Sequence, residues 1–221
     1  MTKPHMLVIL DGWGSSSQTA ANAVALAKTP TYDRLIAERP TARLVAHGEA
    51  VGLPAGQMGN SEVGHLNLGA GRVVLQDLLR VNKAIKDDAL KDFEALQTLI
   101  KNAKNFGGRV HLMGCFSEGG VHAHLDHEIA LANILTDAGL QVFVHVFADG
   151  RDTAPMIAHD CIARFEREAP KADIVSVIGR YFAMDRDKRW ERVERAYNLI
   201  VEGAGEPTLD FKAGVQAQHS K

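Results

Sequence analysis

Three short stretches concentrate the side chains best able to do chemistry. SEGGVHAH at 117–124 carries Ser117 and His122, ADGRDTAP at 148–155 carries Asp149, Arg151 and Asp152, and GRYFAMDRDKRW at 179–190 carries Arg180 and Arg186. Together they offer an imidazole, two carboxylates and several guanidinium groups. Guanidinium forks pair with carboxylate and phosphate oxygens through charge-assisted hydrogen bonds, so this set suits a small, multiply anionic ligand. A phosphate joined to a carboxylate is the natural candidate. Arg189, Arg192 and Arg195 lie further along and are expected on the solvated face of a helix.

His122, His124, Asp126 and His127 also spell H-x-H-x-D-H. Imidazoles and a carboxylate at such spacing can ligate zinc, which would make the chain a metallohydrolase, but a working site also needs later ligands and an open position for water. The alternative is that His124, Asp126 and His127 open a helix, with the carboxylate favoured in its first turn.

Ser61 lies in GEAVGLPAGQMGNSEVGHLNLGAGR, between Asn60 and Glu62, where a helix is expected to start. There it is either an ordinary helix cap or an exposed hydroxyl whose neighbouring N–H groups face an anion. Glycines 48, 52, 56, 59, 64, 69 and 71 crowd the segment, which reads as a loop shaping a site.

The elements that must position these residues follow from periodicity. Met6–Leu10 is a short apolar run, expected as a buried strand with Asp11 at its end, and Ala42–Ala46 is expected as another. Thr29 and Pro30 open a helix through Tyr32, Leu35 and Ile36. Leu96, Leu99 and Ile100 mark one face of a helical stretch within 75–105. Strands are expected at 110–113, 142–147 and 174–178, each followed by a loop and a helical pattern, and that alternation predicts a parallel α/β sheet. In such sheets ligands collect beyond the carboxyl ends of the strands, which is where the three loops fall. A last helix, from Asp187, spaces Trp190, Val193, Tyr197 and Ile200 along one face.

Composition narrows the field. In 221 residues, 46% are hydrophobic and 24% charged, the usage of a globular chain, and a net charge of −2 gives no global attraction to nucleic acid or anionic membrane. The two cysteines, Cys115 and Cys161, are expected as buried thiols in a reducing compartment. No segment approaches the roughly 20 apolar residues of a membrane span, so a soluble cytoplasmic protein is expected.

Five segments in order, VILDGWG at 8–14, GLPAGQMGNSEVGHLNLGAGR at 52–72, SEGGVHAH at 117–124, DGRDTAP at 149–155 and GRYFAMDRDKRWERVERAY at 179–197, resemble the cofactor-independent phosphoglycerate mutases. The resemblance extends to about Thr208. It implies part of an alkaline-phosphatase-like domain, residues 1–75, followed by an incomplete inserted α/β phosphotransferase domain with a mainly parallel sheet, residues 76–221. It further implies an isomerase of glycolysis and gluconeogenesis, interconverting 3-phosphoglycerate and 2-phosphoglycerate through a phosphoserine, with two divalent metal ions, commonly Mn2+, and no requirement for 2,3-bisphosphoglycerate. By that resemblance Asp11 and Ser61 are metal ligands, Ser61 carries the phosphoryl group, and His122, Arg151, Asp152, Arg180 and Arg186 contact substrate. Asp152 also exchanges protons with the glycerate hydroxyls.

Members of that family are about twice as long or more. The remaining Asp and His metal ligands, a central lysine and two substrate arginines would lie in a C-terminal half that this sequence does not contain. The expectations are therefore weak metal affinity, an uncovered sheet edge, little activity for the chain alone, and a separate C-terminal half as a possible partner.

Overall fold

The computed structural model describes residues 3–219. The chain divides after Leu79, the residues before it forming one compact unit and those from Arg80 on forming a second.

The first unit contains helices α1 (Ala23–Leu26), α2 (Pro30–Glu38) and α3 (Ser61–Ala70). Pro30 stands at the start of α2, where its missing N–H costs nothing, but Thr29 does not cap the backbone; its hydroxyl donates to Asp33 Oδ1 at 3.0 Å. The glycine-rich stretch is not one loop. A 3-10 turn at Gly48–Val51 leads through bends into α3, which carries Gly64 and Gly69 inside it. Each helical glycine costs about 1 kcal/mol relative to alanine. Opposing that cost, Asn60 Oδ1 accepts from Val63 N at 3.1 Å, and Val63 is buried with Val51 and Leu53. Asn67 braces the arrangement, donating to Val51 O at 3.0 Å and accepting from Val74 N at 2.6 Å.

The strands expected at Met6–Leu10 and Ala42–Ala46 are absent. Met6 and Leu44 are instead 88% and 83% exposed. A strand exists only through the hydrogen bonds of a neighbour, and one apolar on both sides needs cover on both faces; no described residue pairs with either segment.

From Asp77 the chain forms α4 (Asp77–Lys86), a 3-10 turn at Leu90–Asp92 and α5 (Glu94–Asn105), then β1 (Arg109–Phe116), α6 (Leu125–Asp137), β2 (Gln141–Ala148), α7 (Ala158–Glu168) and β3 (Asp173–Gly179). Helices α8 (Arg180–Ala183), α9 (Trp190–Glu202) and α10 (Phe211–His219) complete it. The sheet is parallel throughout, in the order β1-β2-β3, as the alternation predicted. Val142, Val144 and Val146 of β2 bury against Leu125, Ile129, Ile162 and Phe165 of α6 and α7, with Phe116 enclosed at the end of β1. Among the described residues no helix is long and apolar enough to cross a membrane.

Among the described residues, His145 and Ser176 on the sheet and Glu128 beneath it are buried polar groups. On alternate positions of the sheet, His111 Nδ1 lies 3.0 Å from His145 Nε2, and His145 Nδ1 lies 2.7 Å from Ser176 Oγ. A register shift at Val144/His145 sets His145 opposite Ser176. Beneath β1, buried Glu128 of α6 occupies the space that a side chain at Gly114 would fill: a Cβ there would come 1.9 Å from Glu128 Oε1. Burial pushes this carboxyl up to about 7. Cys115 and Cys161 are both buried, as expected, and burial, joined by nearby carboxylates, pushes both thiols up to about 11.

Candidate functional site

The carboxyl ends of the three strands converge as the alternation implied. Phe116 is followed at once by Ser117, Ala148 by Asp149, and Gly179 by Arg180. The centre is Asp149, whose side chain is 0% exposed. Its Oδ2 accepts from Ser117 Oγ at 2.5 Å, and its Oδ1 accepts from the backbone N–H of Arg151 at 3.1 Å, the N–H of Asp152 at 3.2 Å and Arg180 Nη1 at 2.8 Å. One carboxylate thus ties all three strand ends together. Burial works against its charge, but the bonds from Ser117, Arg180 and the two backbone N–H groups outweigh it and hold the carboxyl below the usual carboxylate range.

Arg180 Nη1 also donates to Asp152 Oδ2, and His122 Nε2 stands 3.6 Å from that same oxygen. The bonds to Asp152 and then Asp149 keep Arg180 firmly protonated despite its partial burial. Its Nε and Nη2 carry no hydrogen bond among the described residues, so the outer edge of the fork is available to a ligand. The close approach of the loops depends on Gly119, where a Cβ would come 2.6 Å from Asp152 O. Ser117 fixes the same loop, its Oγ accepting from Gly119 N at 3.0 Å and its carbonyl from Leu125 N at 2.8 Å.

His122, Asp149 and Arg180 line a cleft of about 580 Å3 that also takes in Arg151 and Arg186, both exposed, with Asp152 behind Arg180 at its margin. His122, Arg151, Asp152, Arg180 and Arg186 are therefore brought together around one cavity or its margin. Sequence reasoning placed Asp149 and Ser117 in these loops without giving them a role. The signal was present in D-G-R-D, since an aspartate followed by a glycine can fold its carboxylate back onto the next N–H groups.

The H-x-H-x-D-H run opens α6 as the helical alternative predicts. His124 is its N-cap, with Nδ1 accepting from Asp126 N at 3.2 Å, while His127 Nε2 is 2.6 Å from Asn82 Oδ1. Asp126 pairs with Arg164, which also bonds Glu118 at 3.1 Å and Glu168 at 3.2 Å. Among the described residues no three His, Cys, Asp or Glu side chains converge as a metal site.

In the first unit, Ser61 is the first residue of α3 and Asn60 is its cap, so the serine hydroxyl is not used for capping. Ser61 Oγ donates to Asp11 Oδ2 at 2.9 Å, and His65 Nδ1 lies 3.1 Å from Oγ and 2.8 Å from Ser61 O. Two ligand oxygens on an octahedral edge with bonds of about 2.1 Å stand about 3.0 Å apart, so the exposed Asp11–Ser61 pair fits one edge of a divalent cation's shell. It supplies only part of the shell that such a cation requires.

The family model for the BPG-independent PGAM N-terminus matches residues 81–221. The chain is 54% identical over 204 residues to 2,3-bisphosphoglycerate-independent phosphoglycerate mutase of Ruegeria pomeroyi, covering 92% of this chain and 40% of that protein. It is 51% identical over 219 residues to the mutase of the same name from Gluconobacter oxydans, covering 99% and 43%. A crystal structure of Leishmania mexicana phosphoglycerate mutase at low cobalt concentration is similar with a TM-score of 0.64 and 35% identity, over 88% of this chain and 38% of that one. The chain thus spans about two fifths of the length of the curated relatives it matches.

Proposed function

Because this chain belongs to the BPG-independent phosphoglycerate mutase family, we propose that its strand-end cleft binds phosphoglycerate, and that the protein of full family length interconverts the 3- and 2-phospho forms. The observation that carries the binding assignment is the Ser117–Asp149–Arg180–Asp152 network. It fixes an arginine in advance whose Nε and Nη2 carry no hydrogen bond among the described residues. Such preorganisation lowers the ordering cost of binding an anion.

The residues divide the work. Arg180, with Arg151 and Arg186 on the exposed side of the cleft, takes the anionic groups of the ligand. Asp152, beside Arg180 and His122, is the group suited to accept a proton from a glycerate hydroxyl and return it to the other. Ser61 is the proposed acceptor of the phosphoryl group, and Asp11 orients its hydroxyl. Asp11 and Ser61 would hold one divalent cation, Mn2+ being the family expectation, and a bound cation favours the serine alkoxide. No 2,3-bisphosphoglycerate is required in this scheme.

The cleft draws all its residues from the second unit, whereas the Asp11–Ser61 pair would supply only one edge of a metal shell. For the 221-residue chain alone the proposal is therefore binding without turnover, with a C-terminal partner supplying the missing ligands. Isothermal titration with 3-phosphoglycerate tests the first part. Arg180→Met should abolish the heat, and undiminished binding would remove the assignment. Joining the chain to the C-terminal remainder of a relative and assaying conversion with Mn2+ tests the second: Ser61→Ala should be inactive, and activity surviving it would sink the nucleophile assignment.

A further inference from the structure

Arg192 was expected on a solvated helix face, yet its side chain is only 20% exposed and lines the same cleft as Arg180 and Arg186. Two contacts hold it there. Its Nη1 donates to Asp185 Oδ1 at 3.1 Å, and its guanidinium carbon stands 3.9 Å from the centre of the Tyr181 ring. Asp185 is itself enclosed, 1% exposed, and its Oδ2 accepts from the backbone N–H groups of Asp187 at 3.2 Å and Arg189 at 2.9 Å.

This repeats the construction around Asp149. In both places an enclosed aspartate gathers the N–H groups of its own loop and orients one arginine toward the cavity. In both places the arginine uses Nη1 on protein groups and leaves Nε and Nη2 without a hydrogen bond among the described residues. Arg192 also lies in the first turn of α9, the end of a helix where a cation is disfavoured and an anion welcome. A surface arginine serving only solubility gains nothing from that position. One facing an anion in the cleft does.

We propose that Arg192 is a ligand-contacting arginine of the cleft, bonding one anionic group of a ligand whose other anionic group is held by Arg180. The inference rests on the reading of this cleft as a phosphoglycerate site and adds a residue to it. A merely structural role, fastening the 185–189 loop and its Arg186 to α9, would be restored by a lysine that keeps a cation beside Asp185, whereas a forked contact with the ligand would not.

Isothermal titration of 3-phosphoglycerate into the 221-residue chain, paired with thermal melting, separates these roles in four proteins: the parent, Arg192→Met, Arg192→Lys and Arg180→Met. Loss of a charge-assisted bond corresponds to at least about a tenfold weakening. Arg192→Met should weaken binding by that factor while keeping the parent's circular dichroism. Arg192→Lys, which keeps the charge but not the fork, should be intermediate, and it stands as the test if the Met variant does not fold. Affinity within twofold of the parent in Arg192→Lys, with binding lost in Arg180→Met, overturns the role of Arg192 alone, whatever the Met variant does. No binding by the parent at millimolar ligand overturns the cleft assignment and this inference together.

Discussion

Arg180 and Asp149 meet at 2.8 Å across the ends of β2 and β3, and the aspartate side chain is wholly enclosed. The pair is partly buried and its carboxylate accepts four hydrogen bonds, the condition under which removing the carboxylate charge is costly. It couples the stability of the sheet's carboxyl edge to the geometry of the cleft.

Asp149→Asn should therefore destabilise the second unit by about 2 kcal/mol, the scale of charge-assisted hydrogen bonds lost at the carboxylate, since Arg180 keeps Asp152 as its counter-charge. Ser117→Ala, which removes one neutral donor to the same carboxylate, should cost about 1 kcal/mol. Urea denaturation of both variants checks the ranking. Because the folded Asp149 carboxyl lies below its unfolded value, its stabilisation is present above the ordinary carboxylate range and is lost as pH falls through the folded value. The parent should lose stability in acid more steeply than Asp149→Asn.

Glu128 predicts the opposite slope. Its carboxyl is raised from 4.5 to about 7 by burial, so the folded state holds its proton more tightly than the unfolded one. That contribution is complete below pH 4.5 and is lost as pH rises through about 7, with a span on the order of 3 kcal/mol. Glu128→Gln should be more stable than the parent at pH 8 and should flatten the stability profile between pH 5 and 8. Denaturant midpoints across that range decide it, and coincident profiles would show that the carboxyl reaches water.

The parallel sheet was legible because Val110–Met113, Val142–Phe147 and Ile174–Ile178 are apolar runs bounded by loops and helices of the same chain, so each strand's partners lie within the sequence. Met6–Leu10 has the same local pattern and forms no strand, because pattern reports burial on two faces but cannot supply the neighbour whose hydrogen bonds make the strand. In the cleft, strand ends located His122, Arg151, Asp152, Arg180 and Arg186. Arg192 was misplaced because a helical period gives an angle around the axis and not which neighbouring loop closes over it; here the loop carrying Asp185 does.

Gly114 tests how firmly Glu128 is seated. A Cβ at this position would come 1.9 Å from Glu128 Oε1 and 2.7 Å from its Cδ, too close without displacing the side chain. Gly114→Ala should cost about 1–3 kcal/mol, the range for overpacking a core. Much of that should be recovered in Gly114→Ala/Glu128→Ala, where the added methyl has room. A double-mutant cycle by chemical denaturation measures the coupling, and additive losses would mean that the strain lies in the β1 backbone.

Asp11 and Ser61 predict how this chain meets a divalent cation. Their 2.9 Å separation fits one edge of an octahedron, but two oxygens cannot set coordination number or choose between metals. Oxygen sites bind near the tight end of their range only when charge count and rigidity are high, and a single exposed carboxylate offers neither. Mn2+ should bind the 221-residue chain with a Kd no tighter than about 0.1 mM, and Mg2+ should compete with it at similar concentrations. Electron paramagnetic resonance of free Mn2+ reads this without any need for turnover. Asp11→Ala should remove the site, whereas Ser61→Ala, which keeps the carboxylate, should leave weaker residual binding. Micromolar affinity in the parent would show that further residues of this chain close around the ion.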